Sequence, residues 1–282
     1  TSGAGAARAP PGWRRLAMDV TRRACLQAMG VDLWVPRTDR VGAAEARGFW
    51  VGRGGSGGSG TADAAPATLP TESSSPGTES GSSPVPDPQL SPLDAISGLA
   101  WDGLREAVVN CRSCDLHKTR TQTVFGAGDR NASLMVVGEA PGADEDRQGE
   151  PFVGRAGQLL NAMLEAIGFA REQVFIANII KCRPPGNRDP HIEETNACQP
   201  FLHRQIALLQ PQLILSVGRI SAHNLLGTED PVGRLRGRVH RFDPGDIPLI
   251  VTYHPAYLLR RPQEKSKAWQ DLQAAYRQLN QA

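Results

Sequence analysis

Four short, continuous apolar runs, each broken off by glycine, proline or polar residues, constrain the fold of this chain more than any other feature. They lie at 133–138 (SLMVVG), 174–180 (VFIANII), 213–218 (LILSVG) and 247–252 (IPLIVT). Runs this short, without polar alternation, suit strands covered on both faces, as in a parallel sheet. Helical patterns fall between and after them, at 156–167, 193–209, 220–226 and 264–279. Strand–helix alternation with right-handed crossovers predicts an α/β fold: a three-layer α/β/α sandwich on a central, mostly parallel, four-stranded sheet. Ligands of such folds bind beyond the carboxyl ends of the strands, so those loops are where chemistry is expected.

Composition divides the chain. Residues 52–92 are nearly all Gly, Ser, Thr, Pro, Ala and acidic residues, and no aromatic side chain occurs between Trp50 and Trp101. Such a segment cannot bury enough apolar surface to offset its ordering entropy, so it reads as a disordered linker. The division is then an N-terminal arm (1–51), the linker (52–92) and one folded domain (93–282). Within the arm, 17–36 predicts a short helix and a Trp-bearing extended piece, and LQAMGVDLW resembles the opening segment of the psi subunit of the bacterial replicative clamp loader. A docking motif for a replication or repair protein is expected there.

Charge is nearly balanced on both sides of the linker: 9 Lys+Arg against 8 Asp+Glu in 1–90, and 22 against 21 in 91–282. Bulk electrostatics therefore make no case for nucleic acid, and any case rests on local clustering. Arg234, Arg236, Arg238 and Arg241 form one such cluster, interleaved with glycines and His240. No apolar run is long enough to span a membrane and no signal peptide is evident, so a cytoplasmic monomer is expected.

Polar residues gather at the predicted strand ends. The first strand runs into Gly138-Glu139-Ala140-Pro141-Gly142, then Glu145, then Gly149-Glu150-Pro151-Phe152-Val153-Gly154. The second ends at Asn178 and the fourth at His254. A carboxylate, an amide and an imidazole at neighbouring strand ends form a candidate site. The cysteines form another: Cys111 and Cys114 (C-x-x-C) with Cys182 and Cys198. Four soft thiolates in a reducing compartment indicate a structural metal site, zinc or iron–sulfur. Their wide, unequal spacing is unlike a zinc ribbon and suits a cluster.

The runs GEAPGADEDRQGEPFVGRAGQLL, NIIKCRPPGNRDP and HPAYLLR, in this order and with the cysteine quartet, resemble the signature blocks of the family 4 uracil-DNA glycosylases. The resemblance spans about 99–276. It implies hydrolytic excision of uracil from single- or double-stranded DNA in base-excision repair, with a 4Fe–4S cluster on Cys111, Cys114, Cys182 and Cys198. It assigns uracil contacts to Gly138, Glu139, Ala140, Phe152, Asn178 and His254, with Phe152 stacking on the base and Asn178 reading its edge. His254 is expected to stabilise the departing uracil anion. Either Glu139 or Glu145 holds the attacking water; both stay open because this loop has Ala140 where family 1 enzymes have an Asp.

DNA contacts fall to Arg183, Arg188, Arg234, Arg236 and Arg238, and to the loop Leu258, Leu259 and Arg260, with one leucine as wedge. No Lys is expected at a strand end to form a Schiff base, so strand cleavage is not expected. Two rival readings remain. One is a relative that traps uracil-DNA covalently through a His in an inserted basic loop, an insertion absent around His191. The other is a non-catalytic DNA-binding module with a structural metal.

Overall fold

The structure, a computed structural model, describes residues 96–281. The predicted arm, its docking motif and the linker lie outside the described residues. The predicted strands form as β2 (Leu134–Gly138), β3 (Phe175–Asn178), β4 (Leu213–Val217) and β6 (Ile247–Thr252), and they pair in parallel in the order β3-β2-β4-β6. Two antiparallel strands extend the edges, β1 (Ala127–Gly128) beside β3 and β5 (Val239–Phe242) beside β6. The sheet thus has six strands, not the four expected. β1 is two residues long and β5 is the Arg-bearing segment VHRF, so neither presents the continuous apolar run that marks the buried strands.

Alternation along each parallel strand feeds two cores. From β2, Met135 and Val137 face one layer while Leu134 and Val136 face the other, all four fully buried. The first layer comprises α1 (Trp101–Asn110), α4 (Ile192–Leu209), α5 (Arg219–Leu226) and α6 (Val232–Leu235). The second comprises α3 (Arg155–Ala166), α7 (Pro255–Arg260) and α8 (Lys265–Leu279). The short α2 (Ala143–Gln148) lies in the loop after β2.

From β2 the chain moves outward to β3, then crosses back over β2 through α4 to reach β4. The reversal puts a topological switch point between β2 and β4, where an open α/β sheet leaves a crevice at its carboxyl edge. Among the described residues, no helix is long and apolar enough to cross a membrane.

Candidate active site

The loops at this edge enclose a pocket of about 1100 Å³, counting the space at its open mouth, lined by Glu139, Glu145, Phe152, Asn178, His254 and Arg260 among others. Gly138, the last residue of β2, permits close packing at the pocket floor. A Cβ there would lie 2.5 Å from both Asn178 Oδ1 and Phe152 Cζ, distances at which no side chain fits. The amide and the phenyl ring are thereby drawn together over the strand end. His254 completes the wall, its ring stacked on Phe152 with centroids 5.6 Å apart and planes at 30°.

Each polar group is prepared differently. Asn178 is 2 % exposed, and its Oδ1 has no hydrogen-bond partner. A buried acceptor left unsatisfied costs about 1–3 kcal/mol, so this oxygen awaits a donor. His254 caps α7: its Nδ1 accepts from the Ala256 N–H at 3.1 Å. An accepting Nδ1 carries no proton, which leaves the neutral ring's proton on Nε2 as a donor. Burial, reinforced by the Arg260 charge, pushes the His254 pKa down to about 4, so the ring is neutral at physiological pH.

The two glutamates part company. Glu145 is consumed by the backbone: Oε2 accepts from Gly142 N–H, and Oε1 from Val153 and Gly154 N–H at 2.9 and 3.2 Å. It folds the loop rather than serving a water. Glu139 is half-buried, and its pKa is raised to about 7, chiefly by burial and then by the Asp189 carboxylate, with Arg219 opposing. Asp189 and Arg219 form an ion pair at 2.5 Å. Neither stands out in the sequence, because Arg219 follows a different strand and nothing local joins the two.

Phe152 is a non-glycine residue with φ 54°, a left-handed conformation that costs about 1–3 kcal/mol unless its surroundings impose it. Gly157, in the first turn of α3, makes room for the bend, since a Cβ there would meet Phe152 O at 1.7 Å. The guanidinium of Arg171 donates to Pro151 O at 2.5 Å and to Phe152 O at 3.4 Å.

The structure corrects several expected DNA contacts. Leu258 is 1 % exposed and packs in the core below α7, which leaves Leu259, 37 % exposed, as the leucine of the pair that meets solvent. Arg236 is largely withdrawn from solvent: it pairs with the fully buried Asp271, which also accepts from Thr252 Oγ1 at the end of β6. Arg188 lines the pocket, but its guanidinium forks onto Glu194 at 2.6 and 2.8 Å and braces its loop. Arg234 and Arg238 are exposed, and Arg183 is half-exposed with its Nε on Asn187. Ala140 lines the pocket. A lysine does sit just past a strand end: Lys181, fully buried, bonds Asn178 O and Gln205 Oε1. It faces the cysteines rather than the pocket.

Cys111, Cys114, Cys182 and Cys198 line one cavity beneath α1, beside Arg120 and Lys181. None is in a disulfide. Two sulfurs already receive donors, Cys182 from Arg120 Nη1 at 3.0 Å and Cys198 from the Lys181 N–H at 3.3 Å. Among the described residues, no three His, Cys, Asp or Glu groups converge as a ready site for a single metal ion. The four cysteines nevertheless share the lining of that one cavity.

The carboxyl edge of the sheet thus gathers an amide, an aromatic ring and a neutral imidazole around one pocket of an open α/β fold. The family model described as "Uracil DNA glycosylase superfamily" matches residues 125–273, and the chain belongs to that superfamily. The nearer kinship is to its type-4 branch. The "Type-4 uracil-DNA glycosylase" of Archaeoglobus fulgidus is 45% identical over 168 residues, 57% of this chain and 84% of that one. That of Pyrobaculum aerophilum is 45% identical over 175 residues, 60% and 89% of the two chains. That of Sulfurisphaera tokodaii is 43% identical over 166 residues, 56% and 76%.

Proposed function

We propose that this chain removes uracil from DNA in base-excision repair, hydrolysing the N-glycosidic bond of a flipped-out nucleotide and leaving an abasic site. The observation that carries the reading is the buried, partnerless Asn178 Oδ1, which crowds over Gly138 together with the Phe152 ring. Uracil supplies the missing donor, its N3–H, and accepts at O4 from the amide's NH2. Cytosine presents the reverse pattern and would leave both groups unpaired, a strong basis for discrimination. The nucleotide reaches this depth only by leaving the duplex, at a cost of a few kcal/mol. Leu259 fills the space it vacates, and Arg260, Arg183, Arg234 and Arg238 supply salt-dependent contacts to phosphate.

In the reaction the C1′–N1 bond breaks and its electron pair leaves with uracil. The His254 Nε2–H donates to uracil O2 as that charge develops, stabilising the anion without transferring a proton. Glu139, as the carboxylate, faces the oxocarbenium-like sugar and orients the water whose oxygen bonds C1′. That water's proton passes to the carboxylate and on to solvent.

The cysteine cavity suits a 4Fe–4S cluster: four soft ligands around one space, with N–H donors already aimed at two sulfurs. Cys111 and Cys114 after α1, Cys182 after β3 and Cys198 on α4 would hold such a cluster, which would tie those segments together in an architectural role outside the bond-cleaving steps. For the N-terminal arm the proposal is a tethered docking segment for a replication or repair protein, separable from excision on oligonucleotides.

The test is excision from a uracil-containing oligonucleotide, with and without alkali, using protein whose visible spectrum and iron content are recorded. Brown, iron-loaded protein that yields free uracil and an alkali-labile site, and an Asn178→Ala variant that loses excision by 100-fold or more (about 3 kcal/mol), would support the reading. A heat-stable protein–DNA adduct would instead assign the chain to the covalent-trapping mode. Colourless, inactive protein would leave a binding module.

A further inference from the structure

We infer that Arg171, which does not line the pocket, is the residue that positions the Phe152 ring against the flipped base. The inference rests on the reading of Phe152 as the stacking wall. A bulky residue at φ 54° does not hold that backbone unaided; its neighbours must impose it. Those restraints come from two directions. The amides that follow the bend, Val153 and Gly154, donate to Glu145. The carbonyls at and before it, Phe152 and Pro151, accept from Arg171. The bend is thus gripped from both sides, by an anion on its N–H groups and a cation on its C=O groups.

Arg171 suits this task for a geometric reason. Its guanidinium is a planar fork of five donors that can span two successive carbonyls and a third acceptor at once. The third is Asn161 Oδ1 on α3, at 3.1 Å. Its place in the chain matters as well. Arg171 opens the 3₁₀ turn Arg171–Gln173, which leads directly into β3 and so to Asn178. One side chain therefore fixes the ring that covers the base relative to the strand whose amide reads it. A lysine could keep the charge and bond one carbonyl, but it could not hold the fork.

The experiment uses the full chain and compares Arg171→Met, Phe152→Ala and the double variant. The readouts are kcat and KM on a single-stranded uracil oligonucleotide, inhibition by free uracil, and thermal stability. Arg171→Met should raise KM and weaken inhibition by free uracil about tenfold, the scale of a missing base–aromatic stack. Phe152→Ala should do the same, and the double variant should be no worse than Phe152→Ala alone, because the two act as one unit. If Arg171→Met does not fold, Arg171→Lys carries the same cycle.

Additive losses in the double variant, or an Arg171→Met protein that melts earlier yet binds free uracil as before, would overturn the inference. A Phe152→Ala protein with unchanged uracil inhibition would overturn the stacking reading itself, and this inference with it. Loss in Phe152→Ala but not in Arg171→Met would sink the inference alone.

Discussion

Replacing Glu139 by glutamine should stabilise the protein at alkaline pH while removing its activity, and the size of the effect follows from the pocket. The Glu139 pKa stands at about 7 against an ordinary 4.5, because burial and the Asp189 charge disfavour its anion. A difference of that size corresponds to about 3 kcal/mol against the charged form. The pocket mouth admits solvent, and screening there brings the expected figure to about 1–2 kcal/mol. The sign is that of a group whose folded pKa is raised. Its favourable contribution is complete below pH 4.5 and is lost as the pH climbs through 7. The gain from Glu139→Gln should therefore be small at about pH 5, grow as the pH rises toward 7, and level off above.

Melting temperatures at about pH 5 and about pH 9, at one scan rate, measure it. At the alkaline pH the variant should melt about 2–8 °C higher than the parent. At the acidic pH the difference should fall to about a quarter of that. Excision by the parent should rise with pH through about 7 as the carboxylate forms, and well above that pH the variant should lose at least 100-fold in kcat (about 3 kcal/mol), a gap that narrows as the pH falls and the parent's own carboxylate is protonated. An equal shift at both pH values, or destabilisation on the alkaline side, would refute the claim that Glu139 is held against its own ionisation for function.

Two further contrasts test the corrected surface. Arg236→Ala strips the partner from the buried Asp271 and should cost about 3–5 kcal/mol in urea unfolding. Arg234→Ala should leave stability unchanged but lower the salt slope of DNA binding by about one, because one fewer phosphate is neutralised. Leu258→Ala opens the core and should cost about 2–5 kcal/mol. Leu259→Ala should spare the melting temperature yet slow excision from duplex more than from single-stranded DNA, where no stack has to be opened.

The sequence by itself determined the parallel sheet, because each buried strand is a continuous apolar run that water would otherwise meet on both faces. It also determined where the polar groups stand, since Glu139, Asn178 and His254 each lie at or just past the end of such a run. Local order was enough to bring the cysteines forward as one set, although 67 residues separate Cys114 from Cys182. The edge strands escaped notice because β1 is too short and β5 too polar to carry a pattern.

Only the tertiary structure decided what each side chain does with its place. Leu258 and Leu259 are identical residues in sequence, and the turn of α7 sends one into the core and the other outward. Arg234 and Arg236 are two residues apart, yet Asp271, on a helix 35 residues away, claims one of them. Glu145 lines the pocket but is spent on three backbone amides, and the ionisation of Glu139 is set by its burial and by Asp189 and Arg219 from other elements. The physical reason is common to all four. Secondary structure follows from periodicity along the chain, whereas burial, ion pairing and pKa depend on neighbours that only folding supplies.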